Sequence, residues 1–453
     1  MKSRILTCTT AMVVLAGLGG PVRLAAQDQP QPHKKQIYYV VKDLGTLGGT
    51  QGVAEGISDR GWVVGDANLA GDQSVHATLW RDGVVTDLGT LGGINSQEQW
   101  PVKDNRGLIV GAAETSNMDP FNEDFCGFDA NSGVPPTGLI CVGFLWQEGV
   151  MSALPTLGGN NAQAWAVNNL GQVAGLAEQS TQNQGCIAPQ VLDIQAVVWG
   201  PKPGEIQVLP PLAGDVSAWA IGINDHQQAV GLSGGCFSPN FNAGGGTPQH
   251  GVIWQNGTVT SLGNIPLGPY IFPWAINNLG QVVGQAGTTS QFHTFLWQKG
   301  IITDLGVIPG DVLGGAFGLN DQGEIVGGSC GPNVTLEFGC RAYVWRYGVM
   351  YDLNALVKPG STPLYLVFGN DINSRGEIAA YAFDQSNGEF HAALAIPCDE
   401  QHTDEQGCKD RTDGATAVRE TSGRANVVMS ENVREQLWKR IGFRRFRTGL
   451  AKQ

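Results

Sequence analysis

Few residues in this chain have the types and spacing that chemistry requires. Gly231-Leu232-Ser233-Gly234-Gly235 satisfies the G-x-S-x-G pattern, but a nucleophile elbow needs a strand-to-helix turn, and no helical pattern follows. In a chain where 65 of 453 residues are glycine, coincidence accounts for the match. The seven histidines show neither an H-E-x-x-H run nor paired metal-ligand spacing. His76, His250, His293 and His391 recur at one repeated position, which points to a structural hydrogen bond rather than a metal ring. The Asp of a recurrent Asp-Leu-Gly, at Asp43, Asp87 and Asp304, reads as a turn or ladder partner rather than a catalytic acid. Asp399, Glu400, Asp404 and Glu405 crowd together but lack calcium-loop spacing. The expectation is therefore no catalytic residue, no metal and no cofactor, with a non-enzymatic role preferred.

These residues sit on a repeated framework. The clearest copy runs from Trp274 to Gly306 and a second from Ile57 to Gly93. Seven turns open the repeats: 58–61, 103–107, Asn168–Gly171, Asn224–Gln227, Asn277–Gly280, Asn320–Gly323 and Asn373–Gly376. Their last residues are 46, 64, 56, 53, 43 and 53 apart. Each repeat holds four strand-length runs: an alternating run, a short run ending in Gly, a run ending in Trp (Trp80, Trp146, Trp199, Trp254, Trp297, Trp345), and a run ending Asp-Leu. Period-2 alternation and β-branched residues predict strands, and the Asn-x-x-Gly and Trp-x-x-Gly turns predict hairpins. Trp100, Trp165, Trp274 and Phe317 mark the innermost run, and the Trp that ends the third run reads as core packing rather than a sugar platform.

Four-stranded units of this period predict propeller blades. The last unit stops at Pro397-Cys398 without its fourth run, and a spare fourth run, Tyr38 to Leu44, precedes the first unit. Borrowing that strand closes the ring and removes an open edge, which an open β-solenoid does not explain. The expected fold is all-β: a seven-bladed β-propeller of four-stranded blades closed by the N-terminal strand, with a short C-terminal helical tail. Blades are expected at about 51–93, 94–159, 160–215, 216–265, 266–311, 312–362 and 363–400 plus 37–49.

The runs His76-Ala77-Thr78-Leu79-Trp80, His293-Thr294-Phe295-Leu296-Trp297 and, degenerately, His250-Gly251-Val252-Ile253-Trp254, together with Asp-Leu-Gly-Thr-Leu-Gly-Gly, resemble the HAF repeat of probable extracellular repeat proteins. The resemblance covers about residues 38–396. The His is lost in blades 2 and 3, is Arg341 in blade 6, and the Trp is lost in blade 7. The resemblance implies a secreted protein and no established biochemical activity.

Residues 1–26 read as a secretory signal: Lys2 and Arg4, an apolar stretch to Gly20, and Ala25-Ala26. Eight cysteines remain after Cys8, and an even number in an exported chain implies disulfides. Cys126–Cys141 and Cys330–Cys340 each share one loop, where closure entropy is smallest. Cys186–Cys236 spans neighbouring blades, and Cys398–Cys408 follows the ring. The chain carries −13 overall although both termini are basic, so its body is strongly acidic, which argues against nucleic acid as a partner. Residues 401–453 form a polar, basic tail; Val433, Leu437 and Ile441 suggest an amphipathic helix able to touch an anionic surface.

Long insertions join the second and third runs, and disulfide-stapled loops on one rim of a rigid scaffold are where function concentrates. Phe121, Phe125, Phe128, Phe237 and Phe241 are the ligand-binding candidates there. The expected function is an exported, monomeric binding scaffold, extracellular or periplasmic, with a glycan or envelope protein as partner. The alternatives are a secreted polysaccharide-active hydrolase or lyase, which requires carboxylates converging on that rim, and a structural surface protein.

Overall fold

Each repeat folds as four antiparallel strands, and a computed structural model describes residues 37–408 apart from 99–104, 124, 129–133, 183–190, 236–249, 267, 289–290, 333–338, 359, 404 and 406–407. The signal segment and the helix expected in the tail lie outside the described residues. No helix among those residues is long and apolar enough to cross a membrane. Seven blades follow one another: β2 (Gly48–Ile57) to β5 (Val84–Asp87), β6 (Gly92–Gln97) to β9 (Val150–Ala153), β10 (Gly158–Val167) to β13 (Ile206–Leu209), β14 (Ser217–Ile223) to β17 (Thr258–Ser261), β18 (Tyr270–Ile276) to β21 (Ile301–Gly306), β22 (Leu313–Leu319) to β25 (Val349–Asp352), and β26 (Leu364–Ile372) to β28 (Phe390–Pro397). The fourth strand of the last blade is β1 (Tyr39–Asp43), paired antiparallel to β28 from Tyr39↔Pro397 to Asp43↔Ala393.

Turn chemistry explains the shared residues. The third-to-fourth hairpins carry two consecutive positive φ values, as at Asn256-Gly257 (51° and 75°) and Lys299-Gly300 (50° and 83°), the backbone of a two-residue type I′ turn. In the first turns the Asn side chain accepts from the backbone and then donates onward. Asn168 Oδ1 accepts from the Leu170 and Gln172 amides, and its Nδ2 donates to the Asn224 carbonyl of the next blade at 3.0 Å. Asn224 reaches Asn277, Asn277 reaches Asn320, Asn320 reaches Asn373 and Asn373 returns to Ser58. The next residue of each turn builds a second course. The Asp59 amide donates to Asn105, Asn105 to Asn169, Asn169 to Asp225, Asp225 to Asn278 and Asn278 to Asp321. The Ser374 amide reaches Asp59 Oδ1 at 2.8 Å and joins blade 7 to blade 1.

The third-strand Trp residues fill the blades. Trp80, Trp199 and Trp254 are buried, and their indole N–H groups donate to the carbonyls of Gly45, Pro155 and Pro210, which lead into the same blades. One aromatic-rich cluster draws residues from all seven blades, including Trp165, Trp219, Phe272, Trp274, Phe368 and Tyr381. Further clusters join adjacent blades.

Candidate functional site

A β-bulge recurs in the innermost strands and sets what the axial core contains. The register skips one residue at Glu55 in blade 1, Trp165 in blade 3, Ile221 in blade 4, Trp274 in blade 5 and Phe317 in blade 6. A bulge leaves that residue outside the ladder and re-aims its side chain. Trp165, Ile221 and Trp274 belong to the axial cluster and Phe317 packs against it; blade 7 skips the buried Asn370 at the same place, and Glu55 is the half-buried carboxylate of the set. The ladder shows a second exchange. Asp66 pairs with Val53 as Ala112 does with Gln97, Leu176 with Gln163 and Leu232 with Trp219. Those three are buried members of the axial cluster, and Asp66 is buried as well. Blade 1 thus presents two acids where blades 3 and 4 present Trp165, Leu176, Ile221 and Leu232, while Gln285 of blade 5 and Asn370 of blade 7 are neutral polar residues at the same positions. Tyr270, Phe317 and Tyr365 are partly buried on the same cluster.

The insertion of blade 2 packs onto that core. Phe125 and Phe128 are buried in the axial cluster with Cys126 and Cys141. Gln163 and Gln97, on the inner strands, donate to the carbonyls of Phe125 (3.1 Å) and Cys126 (3.4 Å). A buried acid pair seats the same loop. Glu123 Oε1 accepts from the Val191 amide at 2.7 Å, and Glu178 Oε2 accepts from the amides of Asn160 and Asn161 and from Asn161 Nδ2. The remaining oxygens, Glu123 Oε2 and Glu178 Oε1, are buried without a hydrogen-bond donor. Burial, reinforced by the Glu123 charge, pushes the Glu178 carboxyl up to about 8. Burial and the charge of Asp119 push Glu123 up to about 7. The two carboxyl groups therefore share a proton near neutrality.

The repeated His and Asp pair across the outer strands, His76 with Asp87 at 2.8 Å and His293 with Asp304 at 2.9 Å. The Asp also accepts from the amide two residues on, at Gly89 and Gly306. At the closure the same pair spans the termini: His391 Nδ1 lies 2.6 Å from Asp43 Oδ2. This hydrogen bond raises the His391 pKa, outweighing burial. For Asp43, burial acts upward, but the bonds from His391 and the Gly45 amide hold the carboxyl below its ordinary value. Only here among the described residues do further ligating groups gather: Asp43, Asp384 and His391 each offer a donor atom within 4.8 Å of the others.

The remaining sequence candidates have structural partners. Ser233 is fully buried and donates to Asp215 at 2.6 Å, as Ser329 donates to Asp311 in blade 6. Arg341, standing in for the repeat His, bridges Asp311 and Asp352. Asp399 accepts from His402, and Glu405 pairs with Lys42. Phe121 is 40% exposed, unlike Phe125 and Phe128. Phe237, Phe241 and Trp100 lie outside the described residues, as does the expected Cys186–Cys236 bridge. Disulfides join Cys126–Cys141, Cys330–Cys340 and Cys398–Cys408.

No protein-family model matches the chain, and no curated protein matches it. Solved structures of similar shape include an acylaminoacyl peptidase from Pyrococcus horikoshii at 14% identity and a TM-score of 0.43, covering 67% of this chain and 44% of the peptidase. They also include a gluconolactonase from Xanthomonas campestris at 12% identity and a TM-score of 0.34, covering 65% of this chain and 92% of that one. A third is the polysaccharide lyase Uly1, at 9% identity and a TM-score of 0.38, covering 83% and 95%. The chain spans less than half the length of the peptidase. The expectation of a chain without a catalytic constellation, and so with a non-enzymatic role preferred, is corrected here. Linear spacing hid a His–carboxylate group able to hold a metal ion, whose members lie as far as 348 residues apart, as well as the acids of the axial core.

Proposed function

We propose that this chain is an exported polysaccharide-active hydrolase or lyase that works through the acids of its axial core. The observation that carries this reading is the exchange in blade 1, where Glu55 and Asp66 occupy positions that blades 3, 4 and 5 give to Trp165, Ile221, Leu232 and Trp274. Paired carboxylates are the machinery of glycoside hydrolysis, one donating a proton to the leaving oxygen and the other acting as base or nucleophile. A base of the same kind abstracts the proton beside a uronate carboxylate in a lyase. The partly exposed rings of Tyr270, Phe317 and Tyr365 offer faces for sugar rings. Export by residues 1–26 and kinship with the HAF-repeat proteins belong to the same proposal.

The test is turnover on a panel of neutral and uronate-containing polysaccharides, read as new reducing ends for a hydrolase and as ultraviolet absorbance of unsaturated sugar for a lyase. Glu55→Gln and Asp66→Asn should each lower the rate by about 10² or more. A surface that binds glycan or envelope protein is the second reading, favoured by Phe121 standing exposed on the insertion of blade 2.

A further inference from the structure

We propose that the seam between the N-terminal strand and blade 7 is a site for a divalent transition-metal ion, built from Asp43, Asp384 and His391 with Glu389 beside them. The bound ion clasps the ring shut. The repeat supplies its own control. His76 in blade 1 and His293 in blade 5 make the same imidazole–carboxylate pair as His391. In the ladder His76 faces Ala67, His293 faces Ala286 and His391 faces Ala382. Two residues beyond those partners stand Leu69 in blade 1, Thr288 in blade 5 and Asp384 in blade 7. Two residues before the histidines stand Ser74, Gln291 and Glu389. Both flanking positions become acidic only where the chain ends must be joined.

The local chemistry calls for a cation. Asp384 is buried and shares its surroundings with Asp43, at most 4.8 Å away between donor atoms. Asp384 Oδ1 is engaged by the amide and hydroxyl of Ser386. His391 Nε2 is buried without a hydrogen-bond partner, 3.6 Å from Glu389 Oε2. Nδ1 is the ring nitrogen that faces Asp43, 2.6 Å from Oδ2, so an ion shared with Asp43 would take Nδ1 in place of its proton, while Glu389 beside Nε2 would orient the ring, the arrangement by which a carboxylate fixes a metal-binding histidine. One imidazole among carboxylates suits zinc or manganese better than calcium, which prefers oxygen alone. The ligands come from positions 43 and 384–391, so the ion would add a cross-link between the first and last strands of the ring.

This proposal is independent of the axial-acid reading, and an inactive enzyme would leave it standing. The full chain, stripped with chelator, is titrated with zinc, manganese and calcium by calorimetry and thermal unfolding. One zinc or manganese ion per chain should bind and raise the melting temperature, and chelator should reverse the rise. Asp384→Asn should weaken binding by about tenfold or more, whereas His293→Ala, at the equivalent blade 5 pair, should leave it unchanged. Should Asp384→Asn fail to fold, His391→Gln makes the same test. Absence of binding by zinc and manganese, or binding indifferent to both Asp384→Asn and His391→Gln, overturns the proposal.

Discussion

Replacing Glu178 by Gln should make the protein more stable in alkali, an unusual outcome for a fully buried polar position. Glu178 Oε2 accepts three hydrogen bonds from Asn160 and Asn161, while Oε1 has no donor among the hydrogen bonds of the protein. Burial and the neighbouring Glu123 raise its pKa from 4.5 to about 8. The folded state thus holds a proton that the unfolded chain releases between those values. The sign follows: the contribution is fully present below pH 4.5 and is lost as pH rises towards 8. At about 1.4 kcal/mol per pH unit the loss reaches at most roughly 5 kcal/mol. Glu123, raised to about 7 by burial and the charge of Asp119, acts in the same direction. A Gln at this position keeps an acceptor for the Asn amides, and its NH₂ replaces the shared proton facing Glu123. Urea unfolding at pH 5 and pH 9 reads the difference. Wild type should weaken between the two, whereas Glu178→Gln should be near wild type at pH 5 and about 2–5 kcal/mol more stable at pH 9. Wild-type stability that is flat or rising over this range, or a Gln variant weaker than wild type at pH 9, refutes the shared-proton account.

Other expectations follow from the same contacts. Asn277→Ala removes donors to the Asn320 carbonyl and Gln281 and acceptors for Leu279 and Gln281, so it should cost about 2–3 kcal/mol in chemical denaturation. His293→Ala, at a half-exposed pair, should cost no more than about 1 kcal/mol by the same measurement. Replacing Cys126 and Cys141 together by Ser opens a loop of 15 residues and should cost about 3 kcal/mol. Deleting residues 37–44 removes β1 and bares the edge of β28, so light scattering should show self-association.

The architecture was legible because the repeat writes it into the chain. The spare Tyr38–Leu44 run and the truncated last unit together specified the β1–β28 pairing. The Asn of the first turn foretold a hairpin, but not that its Nδ2 reaches the next blade, because that contact depends on ring curvature. The His of the third run was expected to make a recurring hydrogen bond, and in blades 1 and 5 its partner is the Asp of Asp-Leu-Gly. The site was harder to see. Glu55 and Asp66 look unremarkable within one repeat; they become informative only when the bulge aligns them with Trp165 and Leu176. Glu123 and Glu178 meet across two blades, and neither lies in a pattern. A closer comparison of the residues flanking His76, His293 and His391 would have flagged Glu389 and Asp384 from sequence alone.

The most direct test of the central claim is the rate of polysaccharide cleavage by wild type beside Glu55→Gln and Asp66→Asn, with folding of each variant verified. The proposed function predicts measurable cleavage by wild type and a loss of about 10² or more in each variant. No cleavage of any polysaccharide, or cleavage unaffected by both substitutions, would contradict it.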